Sequence, residues 1–484
     1  MLFNSLQYLL FFALAMLGAK VLANIRWQHR FLLAASIYFY ASWNALMVLL
    51  IVASAVVDYW LAIYMAAAKS PGRRRVLLLV SLVSNLGLLG FFKYTNFLLE
   101  TFFNVQQWAG GQWLSGPAHL DIILPVGISF YTFQTLSYTV DVYRGKLEPI
   151  RRFESFLLFI SFFPQLVAGP IVRATDFLPQ LEKRAEVLPQ NLKIGFSLFL
   201  VGLVKKVVFA DTLGLFVEKV YTAPAGFGSL PIILATAAYA VQIYCDFSGY
   251  TDMAIGSAVA LGFWLPKNFN YPYFAASVTE FWQRWHISLS TWLRDYLYIP
   301  MGGNRLGPGR TYFNLLATML LGGLWHGAKW TFVFWGAYQG ILLALHRFYA
   351  CRVDSSPRLR WLARLRESTA FRWLCVAGTL YLVLIGWIFF RAENASDLGH
   401  LLSKFIFFDG FHRFNGVRLR EALSVVLMIA GFAACHFFSH RVGGIGHRLG
   451  AASDRSWCVT VTGGLLVLLL LAPSRAPEFI YFQF

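Results

Sequence analysis

The sequence contains little charge. Lys, Arg, Asp and Glu together make up 13% of its 484 residues, whereas hydrophobic residues make up 58%. Ordinary soluble domains carry about 25% charged residues, so this composition excludes an ordinary soluble enzyme. Long apolar segments recur along the chain, and their continuity is typical of helices rather than of alternating barrel strands. We therefore predict an all-α polytopic membrane protein with about ten to twelve spanning helices, plus re-entrant and interfacial helices.

The sequence also lacks paired cysteines and long polar tracts. The cysteines lie in or beside apolar segments, without the spacing of a zinc site or a disulfide framework: Cys245, Cys351, Cys375, Cys435 and Cys458. The first apolar stretch has no basic region before it and no cleavage site after it, so we expect a retained helix over 6–22. One membrane domain is predicted over 1–484, with peripheral helices at 1–103, a polar core at 121–346 and C-terminal helices at 370–484.

Acidic residues are scarcer than basic ones. Asp and Glu number 23 against 41 Lys and Arg, for a net charge of +18. The basic residues cluster in short connections, as the positive-inside rule predicts, so the charge indicates membrane topology rather than nucleic-acid binding. Placing the clusters at 69–75, 347–366 and 441–455 in the cytoplasm puts both termini on the periplasmic or extracellular face. This topology places segment 391–420 on the periplasmic or extracellular face, although that segment is also basic.

The middle of the chain, 125–339, is apolar but contains many polar residues and Pro-Gly breaks. Because non-helical backbone at membrane depth needs burial in protein or a wet cavity, we expect a cavity here. Within this region, residues 321–330 (LGGLWHGAKW) place His326 after an apolar run that is too short to cross a bilayer, so we expect His326 inside the membrane, near a helix end or turn. An ionisable group inside the membrane indicates a functional site, although a structural histidine is the alternative.

Two broken apolar segments precede that histidine. From the segment 125–134 onward, helical spacing places Ser129, Phe133 and Ser137 on one face, which indicates a packing seam. Residues 163–173 contain two prolines and a glycine between basic flanks, which favours a re-entrant segment over a spanning one. Its Gln165 and Arg173 are candidates for binding a polar ligand, although headgroup snorkelling explains the arginine equally well.

Two further segments combine charge with apolar surroundings. Residues 242–252 contain Asp246, Ser248 and Asp252, and buried charge at bilayer depth requires partners or water. The carboxylates either pair with Lys205, Lys206 or Arg284, or take part directly in the site. Residues 280–305 are predicted to form a helix partly in the interface, with tryptophans at headgroup level. Candidate cavity-lining residues in this last segment and beside His326 are Arg284, Trp285, His286, Ser288, Arg294, Asp295, Asn304 and Trp325.

The two histidines in these segments, His286 and His326, have no suitably spaced third ligand, so we predict no metal site. General-base catalysis suits His326 better, because a buried neutral imidazole accepts a proton near neutral pH. His286 by itself is equally explained as a polar anchor.

A likeness to a known family is carried by five segments and the terminal residues: 125–145, 163–173, 242–256, 279–305, 319–335 and 479–484. Together they resemble the membrane-bound O-acyltransferase family, in its bacterial alginate O-acetyltransferase-like branch. The resemblance implies a ring of helices around a thinned core, with His326 as the essential catalytic residue and His286 as the second polar position. It also implies acyl transfer from a cytoplasmic thioester, such as acetyl-CoA, to a hydroxyl reached from the other side.

From this resemblance we expect His326 to remove the proton of the acceptor hydroxyl as that hydroxyl attacks the thioester carbonyl. Candidate donors to the resulting oxyanion are Asn304, Trp325, His286 and tyrosine hydroxyls. The expected acceptor is an exported polysaccharide such as alginate, cellulose or peptidoglycan, with a periplasmic or extracellular transfer partner, in a bacterial inner membrane. D-alanyl or other acyl transfer, and a non-enzymatic transporter or export subunit, are the alternatives.

Overall fold

The structure is a computed structural model, and it describes residues 1, 3–110, 116, 119–167, 169–355, 365, 368–408, 416–472 and 479–480. Over these residues the chain is helical and has no β-strand, which confirms the all-α prediction. Most of the basic run 352–366 and the terminal residues 481–484 lie outside this description. The chain divides into two compact units, Met1–Phe196 with Ala254–Pro266, and Ser197–Met253 with Lys267–Phe484.

The first unit is built from helices along the N-terminal part of the chain. They are α1 (Leu6–Val21), α2 (Ile25–Ala41), α3 (Met47–Ala67), α4 (Pro71–Trp108), α5 (Ile128–Tyr143), α6 (Phe153–Ser161), α7 (Phe163–Leu166), α8 (Ala174–Phe177) and the first part of α9 (Pro189–Val204). Ser129, Phe133 and Ser137 are all buried on α5, which agrees with a packing seam. Among the described residues of the 163–173 segment, the only helix is the single turn α7, which is far too short to span a membrane.

A buried carboxylate links α3 to α4 in this unit. Asp58 accepts hydrogen bonds from Ser81 Oγ at 2.6 Å and from Asn85 Nδ2 at 2.7 Å. Ser81 and Asn85 are four residues apart and therefore lie on one face of α4. These donors satisfy a charged group that would otherwise be costly to bury.

The second unit begins within α9 and contains the helices that carry the histidines. A π-helical turn (Lys205–Asp211) joins α9 to α10 (Thr212–Tyr221), and α11 (Ser229–Ala260) follows. The remaining helices are α12 (Val278–Arg284), α13 (Ile287–Leu293), α14 (Pro308–His326), α15 (Trp330–Ser355), α16 (Thr369–Arg391), α17 (Ala395–Phe407), α18 (Leu419–Val442), α19 (Ile445–Gly450) and α20 (Asp454–Leu471).

Six of the described helices are long and apolar enough to cross a membrane: α3, α4, α11, α16, α18 and α20. The chain is therefore a multi-pass membrane protein, while the predicted total of ten to twelve spans stays a prediction. The helix that ends at His326 is longer than its apolar run, because α14 begins at Pro308 and has 19 residues. At 1.5 Å per residue it is about 28 Å long, close to the thickness of the hydrocarbon core.

Residues 280–305 do not form the single helix that the sequence predicted. α12 ends at Arg284, His286 adopts left-handed dihedral angles with φ of 42°, and α13 begins at Ile287. The break arises because the backbone N–H of Ile287 bonds to the carbonyl of Asn268 at 2.9 Å instead of to the preceding helical turn. Phe281, Trp285, Leu289 and Trp292 are nevertheless all buried, so the predicted apolar face packs inside the protein.

Glycines allow α14 and α15 to approach closely. A Cβ on Gly323 would lie 2.3 Å from the carbonyl oxygen of Phe332, and one on Gly336 would lie 2.4 Å from that of Met319. Contacts this short exclude any side chain unless the backbone moves. Gly327, directly after His326, is restricted by a side chain instead, because a Cβ would approach the Phe332 ring to 2.2 Å. The helix end that holds His326 is thus fixed by backbone contact.

Candidate active site

His326 is the last residue of α14 and lies among aromatic rings. Its side chain is 5% exposed, and its ring centre lies 5.1 Å from Trp325, 5.1 Å from Trp335 and 5.2 Å from Phe390. The C-terminal end of a helix carries partial negative charge, which favours a positive charge placed there. His326 is therefore at a helix end inside the protein, as the sequence predicted, and its surroundings suit an imidazole that gains a proton.

His286 lies in the same aromatic enclosure. It is fully buried, its ring centre is 4.7 Å from Phe247 and 6.0 Å from Trp325, and the two imidazole centres are 6.5 Å apart. Even with ring nitrogens facing each other, this separation leaves roughly 4 Å between them, which is too long for a direct hydrogen bond. The fold therefore brings together two histidines that are forty positions apart in the sequence.

Asn268 holds His286 in place. Its side-chain oxygen lies 3.1 Å from His286 Nδ1, 3.1 Å from the backbone nitrogen of Ser288 and 2.9 Å from Ser288 Oγ. Asn268 is itself 1% exposed. Nothing in the sequence singles out this residue, because an isolated asparagine beside a Pro-Lys dipeptide gives no motif, and only the fold sets it against the break before α13.

A cavity of about 440 Å³ in the second unit reaches the enclosure. Its lining includes Phe332 and Phe390, whose ring centres are 4.9 Å apart, and Phe390 also contacts His326. Four charged residues, of both signs, also line it: Glu218, Lys329, Arg391 and Glu393. Tyr239 and Gln242 of α11 add buried polar groups to the lining. This combination suits a polar ligand, because a few polar groups over an apolar floor fix its orientation.

The carboxylates of 242–252 are paired, as one of the two interpretations predicted. Lys206 lies 2.7 Å from Asp246 and 2.6 Å from Asp211, and all three side chains are buried. Lys205 lies 2.6 Å from Asp252 in a partly exposed pair. The π-helical turn places the two consecutive lysines so that each meets a different carboxylate. A direct part of Asp246 and Asp252 in the site stays a prediction.

Asp246 also holds the C-terminal segment. Its second carboxylate oxygen accepts a hydrogen bond of 2.7 Å from the backbone N–H of Ile480, and Phe479 stacks on Tyr250 with ring centres 4.4 Å apart. Ile480 in turn lines the cavity. The ion cluster therefore reaches the cavity wall through this segment.

Arg284, Trp285 and Ser288 lie close to the histidines in sequence but have separate contacts. Arg284 pairs with Glu280 of the same helix at 2.6 Å, not with Asp246 or Asp252. Trp285 stacks on Phe281. Ser288 bonds to Asn268, and Ser248 is buried on α11.

The other predicted site residues have partners of their own. Arg294 and Asp295 form a pair at 2.7 Å, with the arginine mostly exposed. Asn304 accepts a hydrogen bond from the Tyr298 hydroxyl, and the carbonyl of the adjacent Gly303 accepts one from Asn314 of α14, twelve residues before His326. A role for Asn304 as an oxyanion donor or in donor binding stays a prediction. Gln165 and Arg173 belong to the first unit, where Gln165 Nε2 donates to the carbonyl of Phe159 at 2.5 Å.

These features define a class: an all-helical, multi-pass membrane protein with a buried pair of histidines behind a cavity. Comparison with known proteins identifies the family within this class. Residues 150–387 match the model of the membrane-bound O-acyltransferase family. The chain is 36% identical over 512 residues to the probable alginate O-acetylase AlgI of Pseudomonas putida, with 100% of both chains covered.

Two further relatives agree. The probable alginate O-acetylase AlgI of Azotobacter vinelandii is 42% identical over 412 residues, covering 81% of this chain and 76% of that protein. The peptidoglycan O-acetyltransferase of Helicobacter pylori is 37% identical over 416 residues, covering 80% and 74%. The chain belongs to the membrane-bound O-acyltransferase family and is an O-acyltransferase. An export subunit without enzymatic activity, the alternative from the sequence, has no support in these matches.

Proposed function

We propose that this protein transfers an acetyl group from a cytoplasmic thioester, acetyl-CoA or a carrier-bound one, to hydroxyls of an exported polysaccharide, with His326 as general base. The observation that carries the proposal is the enclosure of His286 and His326 behind the cavity, with the charged residues in its lining. The named activities of the relatives, on alginate and on peptidoglycan, support acetyl transfer to a carbohydrate polymer. We place the protein in the inner membrane with both termini periplasmic.

In the proposed reaction His326 takes the proton of the acceptor hydroxyl while the hydroxyl oxygen bonds to the thioester carbonyl carbon. The carbon–sulfur bond then breaks, the thiolate leaves, and the proton on His326 passes to that thiolate or to water. The ring of His326 lies in edge contact with Trp325, Trp335 and Phe390, with centres 5.1 to 5.2 Å apart, and these contacts hold the imidazole in place. The end of α14 adds a favourable dipole. Trp325 stays the proposed oxyanion donor.

The cavity supports a route for the acceptor. The cavity lies at the Arg391 end of α16. The other end of α16, at Thr369, follows the basic run that we assign to the cytoplasm by its charge. A polymer that enters from the periplasmic face would thus meet polar and charged side chains first and the histidines last. Whether a partner protein delivers the polymer or accepts the acetyl group first is part of the same proposal.

The test is acetyl transfer by the purified full chain in proteoliposomes, with radiolabelled acetyl-CoA and with alginate or peptidoglycan oligosaccharides as acceptor. We expect His326→Ala to reduce transfer by about 10²- to 10⁴-fold, the usual contribution of a positioned base. His447→Ala, an exposed histidine on α19, is the matched control and should transfer normally. Normal transfer by His326→Ala contradicts the assignment of the base, and transfer of D-alanine but not acetyl groups contradicts the assigned donor.

A further inference from the structure

The side-chain oxygen of Asn268 accepts hydrogen bonds from two residues around the start of α13. One of these bonds comes from the backbone N–H of Ser288, at 3.1 Å. A backbone N–H can only donate, so the Asn268 atom that faces it is the amide oxygen and not the amide nitrogen. This contact fixes the orientation of the amide group, which side-chain shape alone would leave open.

The same oxygen lies 3.1 Å from His286 Nδ1. Because the amide oxygen accepts, Nδ1 must carry the hydrogen. A neutral imidazole has one N–H, so the other nitrogen, Nε2, carries a lone pair and accepts hydrogen bonds. In this tautomer His286 cannot donate to an oxyanion, which removes it from the candidate donors that the sequence suggested.

The backbone keeps this arrangement rigid. The backbone carbonyl of Asn268 accepts a hydrogen bond of 2.9 Å from the N–H of Ile287. The backbone carbonyl of Arg284 accepts one of 2.9 Å from the N–H of Asn270. These two bonds flank His286 and maintain its left-handed dihedral angles. A non-glycine residue in that region is uncommon and persists only where its surroundings enforce it. The left-handed backbone of His286 and the side-chain amide of Asn268 therefore both fix the position of the His286 ring.

We propose that Asn268 is a positioning residue that holds His286 as the Nδ1–H tautomer, so that His286 Nε2 accepts a hydrogen bond from a hydroxyl of the acceptor sugar. That hydroxyl neighbours the one that reacts at His326, whose imidazole centre lies 6.5 Å from that of His286. This role rests on the proposed function for its substrate, but the tautomer itself does not.

The decisive measurement is the protonation of the His286 ring. Full-length protein with ¹⁵N-labelled histidine is studied in proteoliposomes by solid-state NMR, and the His286 signals are identified as those lost in His286→Asn. We expect a protonated Nδ1 and an unprotonated Nε2 in the unaltered protein and in Asn268→Asp, whose carboxylate can only accept. Asn268→Leu should lose this preference. The opposite tautomer in the unaltered protein overturns the proposal even if Asn268→Leu fails to fold.

Asn270→Ala is the matched control. Asn270 is two positions away, is exposed, and its side chain accepts from Lys267 Nζ at 2.9 Å. It should leave the His286 signals unchanged.

Kinetics separate positioning from a purely structural role. Asn268→Leu should lower kcat/KM for the oligosaccharide by about tenfold and leave KM for acetyl-CoA unchanged, because only the acceptor contact is lost. Equal losses for both substrates, or full activity, overturn the positioning role. If the unaltered protein acetylates no oligosaccharide, the proposed function and the sugar contact fail together, while the NMR result still decides whether Asn268 sets the tautomer.

Discussion

Two buried polar sites in the second unit differ in how they are stabilised. In the ion cluster, Lys206 lies between Asp211 and Asp246, so opposite charges compensate each other. In the histidine site, the rings of His286 and His326 lie among aromatic side chains, and Asn268 orients the first of them. One site satisfies its charges internally, while the other keeps imidazoles beside a cavity.

The difference indicates different roles. Breaking a buried ion pair leaves an uncompensated charge, so the cluster should matter most for stability. Imidazoles in an aromatic enclosure need no charged partner to remain buried, and they can accept a proton during a reaction. Substitutions in the cluster should therefore change folding, and substitutions in the histidine site should change turnover. His326→Ala, described above, has the largest expected effect on turnover.

Lys206→Met should have the largest effect on stability. It leaves two carboxylates buried together without a cation, which costs about 3–5 kcal/mol in comparable cases. Thermal unfolding in detergent measures the loss. Lys205→Met is the matched control, because the Lys205 and Asp252 side chains are about a quarter exposed and such a pair contributes less.

A further variant tests the cause of that loss. Adding Asp211→Asn and Asp246→Asn to Lys206→Met removes the unbalanced charges and should recover much of the stability. Equal melting temperatures for the Lys205 and Lys206 variants would show that the buried cluster is not a stabilising element.

Gly323→Ala should affect both properties, because this residue fixes the end of α14. Its Cβ would lie 2.3 Å from the backbone oxygen of Phe332, and overpacking of this kind costs about 1–3 kcal/mol. The shift should also displace His326 and reduce acetyl transfer. In Gly322→Ala, the matched control on the same helix, the new Cβ would meet only Leu293 Cδ1, at 3.2 Å. Similar stability and transfer in the two variants would contradict backbone contact as the constraint on His326.

His286→Asn should have the smallest of these effects, and on turnover alone. Asparagine tolerates left-handed dihedral angles, so the break before α13 should persist while Nε2 is lost. We expect kcat/KM to fall by about tenfold with an unchanged melting temperature. A lowered melting temperature with normal transfer would instead assign His286 the role of a structural anchor.

Much of the fold was predictable from composition, because apolar segments of spanning length have few alternatives to helices in lipid. The sequence also indicated His326, since an ionisable residue in an apolar run is conspicuous. It did not predict the break at His286, because the hydrogen bonds that cause it come from Asn268, eighteen positions earlier. Helical periodicity describes contacts within a few turns and contains no information about such distant donors and acceptors.

The pairing of charges was only partly predictable. The sequence left the carboxylates of α11 between ion pairs and a direct role, and it offered Arg284 as well as Lys205 and Lys206 as partners. The π-helical turn decided the pairing, because its wider winding sets the directions of consecutive lysines. The contact between Asp246 and Ile480 spans most of the second unit's sequence and had no local signal.

The sequence by itself determined that this protein is helical, lies in the membrane and carries a histidine at the end of a helix, because burial in lipid constrains composition residue by residue. The tertiary structure alone decided that the imidazole centres of His286 and His326 lie 6.5 Å apart, that Asn268 orients His286, and that a cavity reaches Phe390, which contacts His326. Those facts depend on side chains from distant segments meeting in space, and only the packing of helices determines which of them meet.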